Sequence, residues 1–96
     1  MSKRIENIRL AVQAMHRCLA KHESSAPIIE MFGKNKVWEG VVEIFLLVGH
    51  PKAKRCYAWD LADDSSKPRY IAVLELPPVH SPHTAVRAAI ASGEQK

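Results

Sequence analysis

The run Val37-Trp38-Glu39-Gly40-Val41-Val42-Glu43-Ile44-Phe45-Leu46-Leu47-Val48 constrains the fold more than any other part of the chain. Strand side chains alternate between faces with a period of two. Read that way, Trp38, Val42, Ile44, Leu46 and Val48 form one apolar row, broken only by Gly40. The opposite row is mixed: Glu39, Val41 and Glu43 come first, and Phe45 and Leu47 follow. The first row must therefore face a core, and the far half of the second needs a cover of its own. A strand of this kind demands a sheet with a packed layer on at least one face.

The rest of the chain supplies the layers. Ile5, Ile8, Val12, Met15 and Leu19 recur at spacings of three and four, which predicts an amphipathic helix from about Ser2 to His22. Pro27 follows its end, because the residue before a proline is pushed out of helical backbone angles. Ile28 to Phe32 reads as a short strand, and Gly33-Lys34-Asn35-Lys36 as the hairpin turn into the long strand. Residues Gly49 to Lys54 form the next turn and Arg55 to Ala62 the next strand. A polar loop, Asp63 to Pro68, precedes a last strand from Arg69 to Leu76, which Pro77-Pro78 stops. Ser81-Pro82 is a helix entry, a hydroxyl cap followed by a proline whose missing N–H would be unpaired anyway. Ala85, Val86, Ala89 and Ile90 form that helix's apolar stripe, and Gly93 closes it.

The expected fold is one α+β domain over residues 1–96 with a loose tail from 93. It is a four-stranded antiparallel meander with both helices on one face, in the order α-β-β-β-β-α. Parity assigns Tyr57, Trp59, Leu61, Tyr70, Ala72, Leu74 and Leu76 to the same side as Trp38. It leaves Glu39, Val41, Glu43, Phe45, Leu47, Asp60, Arg69, Ile71, Val73 and Glu75 on the other. With both helices on one side, that second face is an exposed patch, half aliphatic and half carboxylate, of the kind that marks an interface. Self-association into a homodimer, or contact with a basic partner, is the expectation it raises.

Chemistry is harder to read. Glu39 and Glu43 lie about 13 Å apart at ~3.3 Å per residue, too far for a paired acid and base. Of the five histidines, His80 and His83 have metal-like spacing, but zinc sites use two ligand pairs and only one is present. His50, in Gly-His-Pro, reads as a turn residue. No nucleophile motif and no glycine-rich phosphate loop occurs, so neither catalytic residues nor a cofactor is expected. Cys18 and Cys56 share no CxxC spacing and read as reduced thiols of a cytoplasmic protein. The basic start lacks an apolar stretch behind it, so no secretory signal is expected, and no apolar run is long enough to span a bilayer.

A formal net charge of +4 raises a nucleic-acid reading through Lys52, Lys54, Arg55 and Arg87. A third possibility is a small cationic ligand held by Glu39, Glu43 and Asp60. The layout from the first helix, through Val41–Val48, the turn Gly49-His50-Pro51-Lys52-Ala53-Lys54 and the last strand, into the helix Ser81–Ser92 resembles a double-stranded-RNA-binding domain. The resemblance implies phosphate contacts at a lysine-rich start of the second helix. Here that start is Ser81-Pro82-His83-Thr84-Ala85-Val86-Arg87, with one cation. Separately, Val37–Glu43, Gly49–Trp59 and Leu74–Pro82 are similar to small bacterial proteins of the accessory, mobile-element genome. That likeness implies a bacterial cytoplasmic origin and no particular activity.

Overall fold

A computed structural model describes residues 2–61 and 69–93. Its elements are α1 (Lys3–His16), β1 (Leu19–Phe32), β2 (Asn35–Val48), β3 (Arg55–Leu61), β4 (Arg69–Leu74) and α2 (Pro82–Ala91). The strands form one antiparallel sheet in the order β1-β2-β3-β4. The expected loop at 63–68 and the tail at 94–96 lie outside the described residues.

Helix α1 starts where Ser2 caps it, its hydroxyl accepting from the Ile5 N–H at 3.1 Å. It stops six residues earlier than its apolar spacing suggests. Arg17 takes the left-handed conformation (φ 51°, ψ 46°), and Gln13 Oε1 accepts the Ala20 N–H at 3.0 Å, tying the reversal to the helix. Met15 and Leu19, which prolonged the stripe on paper, are exposed. The reason is the ladder. Strand β2 is 14 residues long, and a β1 running from Leu19 to Phe32 meets it from Val48 back to Asn35. Extending the helix to His22 would strip partners from the backbone of Phe45 to Val48, whose polar groups need them.

The two helices pack on opposite faces of the sheet, so the expectation of a shared face is corrected. Under α2, Ala85, Val86 and Ala89 meet Val42, Tyr57, Trp59, Ile71 and Val79. Under α1, Ile8 and Val12 meet Ala20, Phe45, Cys56 and Ala58. Phe45 and Leu47 are apolar because α1 covers them. The tryptophans do share a face: Trp38 and Trp59 make an edge-to-face pair with centroids 5.7 Å apart.

Strand β4 is displaced by one position from its expected parity. Trp59 pairs with Ile71 and Tyr57 with Val73, which places Ile71 and Val73 with the tryptophans under α2. Tyr70 and Ala72 turn to the α1 side instead. A slip of one residue flips every side chain of a strand. Val48, assigned inward by parity, is exposed at the end of β2.

Helix α2 follows a cis Pro77–Pro78 peptide and carries a full capping box between Ser81 and Thr84. His50 Nδ1 accepts the N–H groups of Lys52 (3.1 Å) and Ala53 (3.0 Å), which is the turn role read from Gly-His-Pro.

Candidate functional site

Two lengths set what the sheet leaves uncovered. Helix α1, at 14 residues, is about 20 Å long at ~1.5 Å per residue. Strands β1 and β2 are also 14 residues each but would span roughly 43 Å if straight, at ~3.3 Å per residue. A helix cannot cover a strand of equal residue count. Helix α1 ends over Glu43, and the hairpin projects past it as an arm.

The base of this arm is a fork. Ladder pairing between β2 and β3 stops at Glu43–Ala58. Arg4, in the first turn of α1, sits where the two strands part. Its Nη1 donates to Glu43 Oε2 at 2.5 Å, its Nε and Nη2 to Asp60 Oδ1 at 3.1 and 2.9 Å, and its Nη2 also to the Val41 carbonyl at 3.0 Å. One guanidinium thus ties both strands and a carbonyl that the ladder no longer uses. Glu43 is only 1% exposed and has two further partners, the Ser25 hydroxyl and His22 Nε2 at 2.9 Å. Burial alone would raise its carboxyl. Hydrogen bonds from Ser25, Arg4 and His22, with the Arg4 charge, outweigh burial and hold it below the ordinary carboxylate value.

Ser25, His22 and Glu43 meet without forming a nucleophilic triad. A carboxylate only accepts, so the His22 nitrogen facing Glu43 carries a proton. That same Nε2 is the His22 nitrogen that faces Ser25 Oγ, at 3.4 Å. It cannot take the serine proton, and the serine already donates to Glu43. The cluster is a structural clamp.

Beyond the clamp the outer face of the arm is a ladder of facing pairs: Pro27–Val41, Ile29–Glu39 and, past a bulge at Val37, Met31–Lys36. Ile29 is 51% exposed, Met31 48% and Val41 39%, and Phe32 at the tip is 79% exposed. The reverse face is closed by α2, through Trp38, Ile28 and an ion pair of Arg87 Nε with Glu30 Oε1 at 2.9 Å, with His83 also on Glu30. The Arg87 hydrogen bond foremost, against some burial, keeps the Glu30 carboxyl below its ordinary value. The strand edge is guarded as well. Pro27 lacks an N–H, and the register shifts between His22 and Ser24, so the outer edge of β1 offers a broken row of donors.

The residues expected on one open face have separate fates. Glu39 and Val41 stand on the outer face of the arm, Glu39 bound to Lys36 Nζ at 2.6 Å. Glu43, Phe45 and Leu47 lie beneath α1, and Ile71 and Val73 beneath α2, so none of these five forms an open surface. Asp60 joins Glu43 through Arg4. Arg69 is exposed at the start of β4, and Glu75 accepts from the Tyr57 hydroxyl. Glu39 takes no part in the Glu43–Asp60 cluster, so the three carboxylates proposed for a cationic ligand do not converge.

The cations are dispersed. Lys52 and Lys54 are exposed on the turn before β3, Arg55 binds Glu23 at 2.9 Å, and Arg87 is held by Glu30 near the arm. Cys56 is buried against α1, and burial, with Cys18 nearby, pushes its thiol up to about 12, which makes it inert. Among the described residues, no group of three or more His, Cys, Asp or Glu is placed to hold a metal ion, and no helix is long and apolar enough to cross a membrane. Arg4 and His22 escaped the sequence reading. Arg4 looks like any helix cation, and His22 fell in the helix that β1 replaces.

Comparison with protein-family models, curated proteins and solved structures finds no significant match to this chain.

Proposed function

We propose that this chain is a non-enzymatic interaction module that self-associates through the outer face of the β1–β2 arm. One observation carries the reading: Pro27, Ile29 and Val41 are neighbours on a sheet face and line one open cavity with no helix residue in it. Isolated exposed apolar residues need no explanation, but an aliphatic cluster on a projecting hairpin is the kind of surface that a contact covers. The clamp at Arg4 supports it, because it anchors the arm to α1 and β3 and so lowers the entropy lost when the arm binds.

The test is Ile29→Lys, followed by sedimentation velocity over a range reaching high micromolar concentration. Ile29 already faces solvent in the single chain, so the thermal midpoint should stay within about 2 °C, as for surface changes generally. Association should weaken at least ~10-fold, the equivalent of ~1.4 kcal/mol. A wild-type chain that stays monomeric throughout, or a variant that associates as well as wild type, refutes the proposal.

A further inference from the structure

We infer that the outer edge of β4 pairs antiparallel with β4 of a second copy, about a two-fold axis at Ala72, so that one sheet continues into the next. This edge lies across the sheet from the arm, and the pairing does not depend on the arm contact.

The ladder fixes which backbone groups of β4 are spare. Cys56 faces Leu74, so Arg55 faces Glu75, and the Glu75 N–H donates to the Arg55 carbonyl at 2.9 Å. Bonded and unbonded facing pairs alternate along an antiparallel ladder. Arg69, Ile71, Val73 and Glu75 therefore bond to β3, while Tyr70, Ala72 and Leu74 turn their N–H and C=O groups off the sheet. The Leu74 carbonyl accepts the Leu76 N–H at 2.9 Å; the Ala72 groups bond to no other backbone among the described residues.

The edge is also open. A cavity of about 320 Å³ is lined by His16 of α1, by Ala72, Val73 and Leu74, and by Ala88 and Ser92 of α2. The helices pack on opposite faces, so a cavity that touches both lies where the two faces meet, along the edge. The His16 ring lies against the Ala72 backbone, yet its Nε2 is buried without a hydrogen-bond partner, an orphan that an incoming strand can satisfy. The outer edge of β1 is guarded by Pro27 and a register shift, but β4 has no proline, no lysine and no register shift from Arg69 to Leu74.

Self-complementarity selects a second copy as the occupant. With the axis at Ala72, Tyr70 faces Leu74 of the second copy and Ala72 faces Ala72, so every outward residue meets another and each pair exchanges both bonds. The same register sets Arg69 opposite Glu75 of the second copy, at both ends of the pairing. Arg69 is exposed. Glu75 is 26% exposed and lies 3.8 Å from Arg55, which Glu23 holds at 2.9 Å, so its charge is not spent within the chain. A register one step to either side faces Arg69 with Val73 or Pro77 instead. A strand of six residues makes a contact smaller than ~1,200 Å², in the class of weak encounters.

Disulfide trapping reads so weak a pairing directly. The parent is full-length Ile29→Lys, Cys18→Ser protein, which removes the arm contact and leaves buried Cys56 as the remaining native thiol. Under mild oxidation Arg69→Cys mixed with Glu75→Cys should crosslink, because facing strand residues lie within disulfide reach. Neither should crosslink to itself. By sedimentation equilibrium, Arg69→Glu should weaken the pairing roughly 2- to 10-fold at low salt, and adding Glu75→Arg should restore it. Ala72→Pro removes only an outward N–H and should abolish it while the ladder to β3 holds; where that variant fails to fold, the crosslinks decide alone. Self-crosslinking of Arg69→Cys, no mixed crosslink, or a folded Ala72→Pro protein that associates like its parent would each overturn the pairing. Association lost to Ile29→Lys with no mixed crosslink leaves the arm as the contact. A mixed crosslink where Ile29→Lys changes nothing removes the arm and leaves the edge.

Discussion

Gly40→Ala is a substitution whose sign depends on a single neighbour. Gly40 stands two residues from Trp38 on the same face of β2, and the indole lies across it. A Cβ built there would be 2.8 Å from Trp38 Cη2 and 2.9 Å from Cζ2. No favourable packing exists at those distances, so the indole would have to swing away. Swinging breaks the edge-to-face pair with Trp59, a loss of about 0.5–1.5 kcal/mol. It also returns to water about a quarter of an indole, costing about 1–1.5 kcal/mol at ~25 cal/mol per Å². Against this, replacing a strand glycine narrows the unfolded ensemble and contributes about 0.4–1 kcal/mol of stability. The net is a destabilisation of about 1–2 kcal/mol. In a Trp38→Ala background nothing is left to clash, so the same change should stabilise by about 0.4–1 kcal/mol. The two effects differ by about 2 kcal/mol, which is the coupling read from a double-mutant cycle. Urea unfolding of the four proteins measures it, and near-UV circular dichroism of Gly40→Ala, which keeps both tryptophans, should show their signal change. If the coupling falls below about 0.5 kcal/mol, the limit of additivity for independent sites, the indole does not lie over Gly40 and the reasoning fails.

Other consequences are equally direct. Arg4→Met leaves the buried Glu43 with His22 and Ser25 only, and should cost about 2–3 kcal/mol in urea unfolding. This is less than the ~3–5 of a fully buried broken pair, because Arg4 is partly exposed. Adding Glu43→Gln to Arg4→Met should recover part of that loss, and no recovery would mean that Arg4 acts by packing alone. Acid should destabilise the fold in two stages. His16, whose ring is held below the ordinary 6.5 by burial first and then by nearby His50, contributes stability that is complete above 6.5 and is lost as pH falls toward its lowered folded value. Glu43 and Glu30, both held below 4.5, contribute stability present above 4.5 that is lost as pH falls through their lowered folded values. Urea midpoints against pH check this, and His16→Gln should flatten the first stage while leaving the second; one undivided loss in wild type would contradict it.

Much of the fold is legible in the sequence because the signals are local. The cap at Ser81-Pro82, the turn at Gly49-His50-Pro51 and the stop at Pro77-Pro78 each depend on a few adjacent residues. The alternation that sets Trp38 and Trp59 on one face depends only on strand period. The element order follows from the same short-range rules. The candidate site was only half legible: Glu39 and Val41 do stand on an open face, but Glu43, Phe45 and Leu47 share their parity and are covered. Parity tells which residues share a face and is silent on which helix lies over it, or how far along.

What the residues determined unaided is therefore a helix, four strands and a helix, with an apolar row that had to be buried. Tertiary structure decided the rest. It gave residues 19–22 to the pairing with β2, since a ladder of thirteen pairs outweighs nearly two more turns of an amphipathic stripe. It sent the helices to opposite faces, because both rows of the long strand are apolar in their second half. It also left the arm bare, for a reason no local pattern holds: a residue advances a strand about twice as far as a helix, so equal counts cannot cover equal lengths.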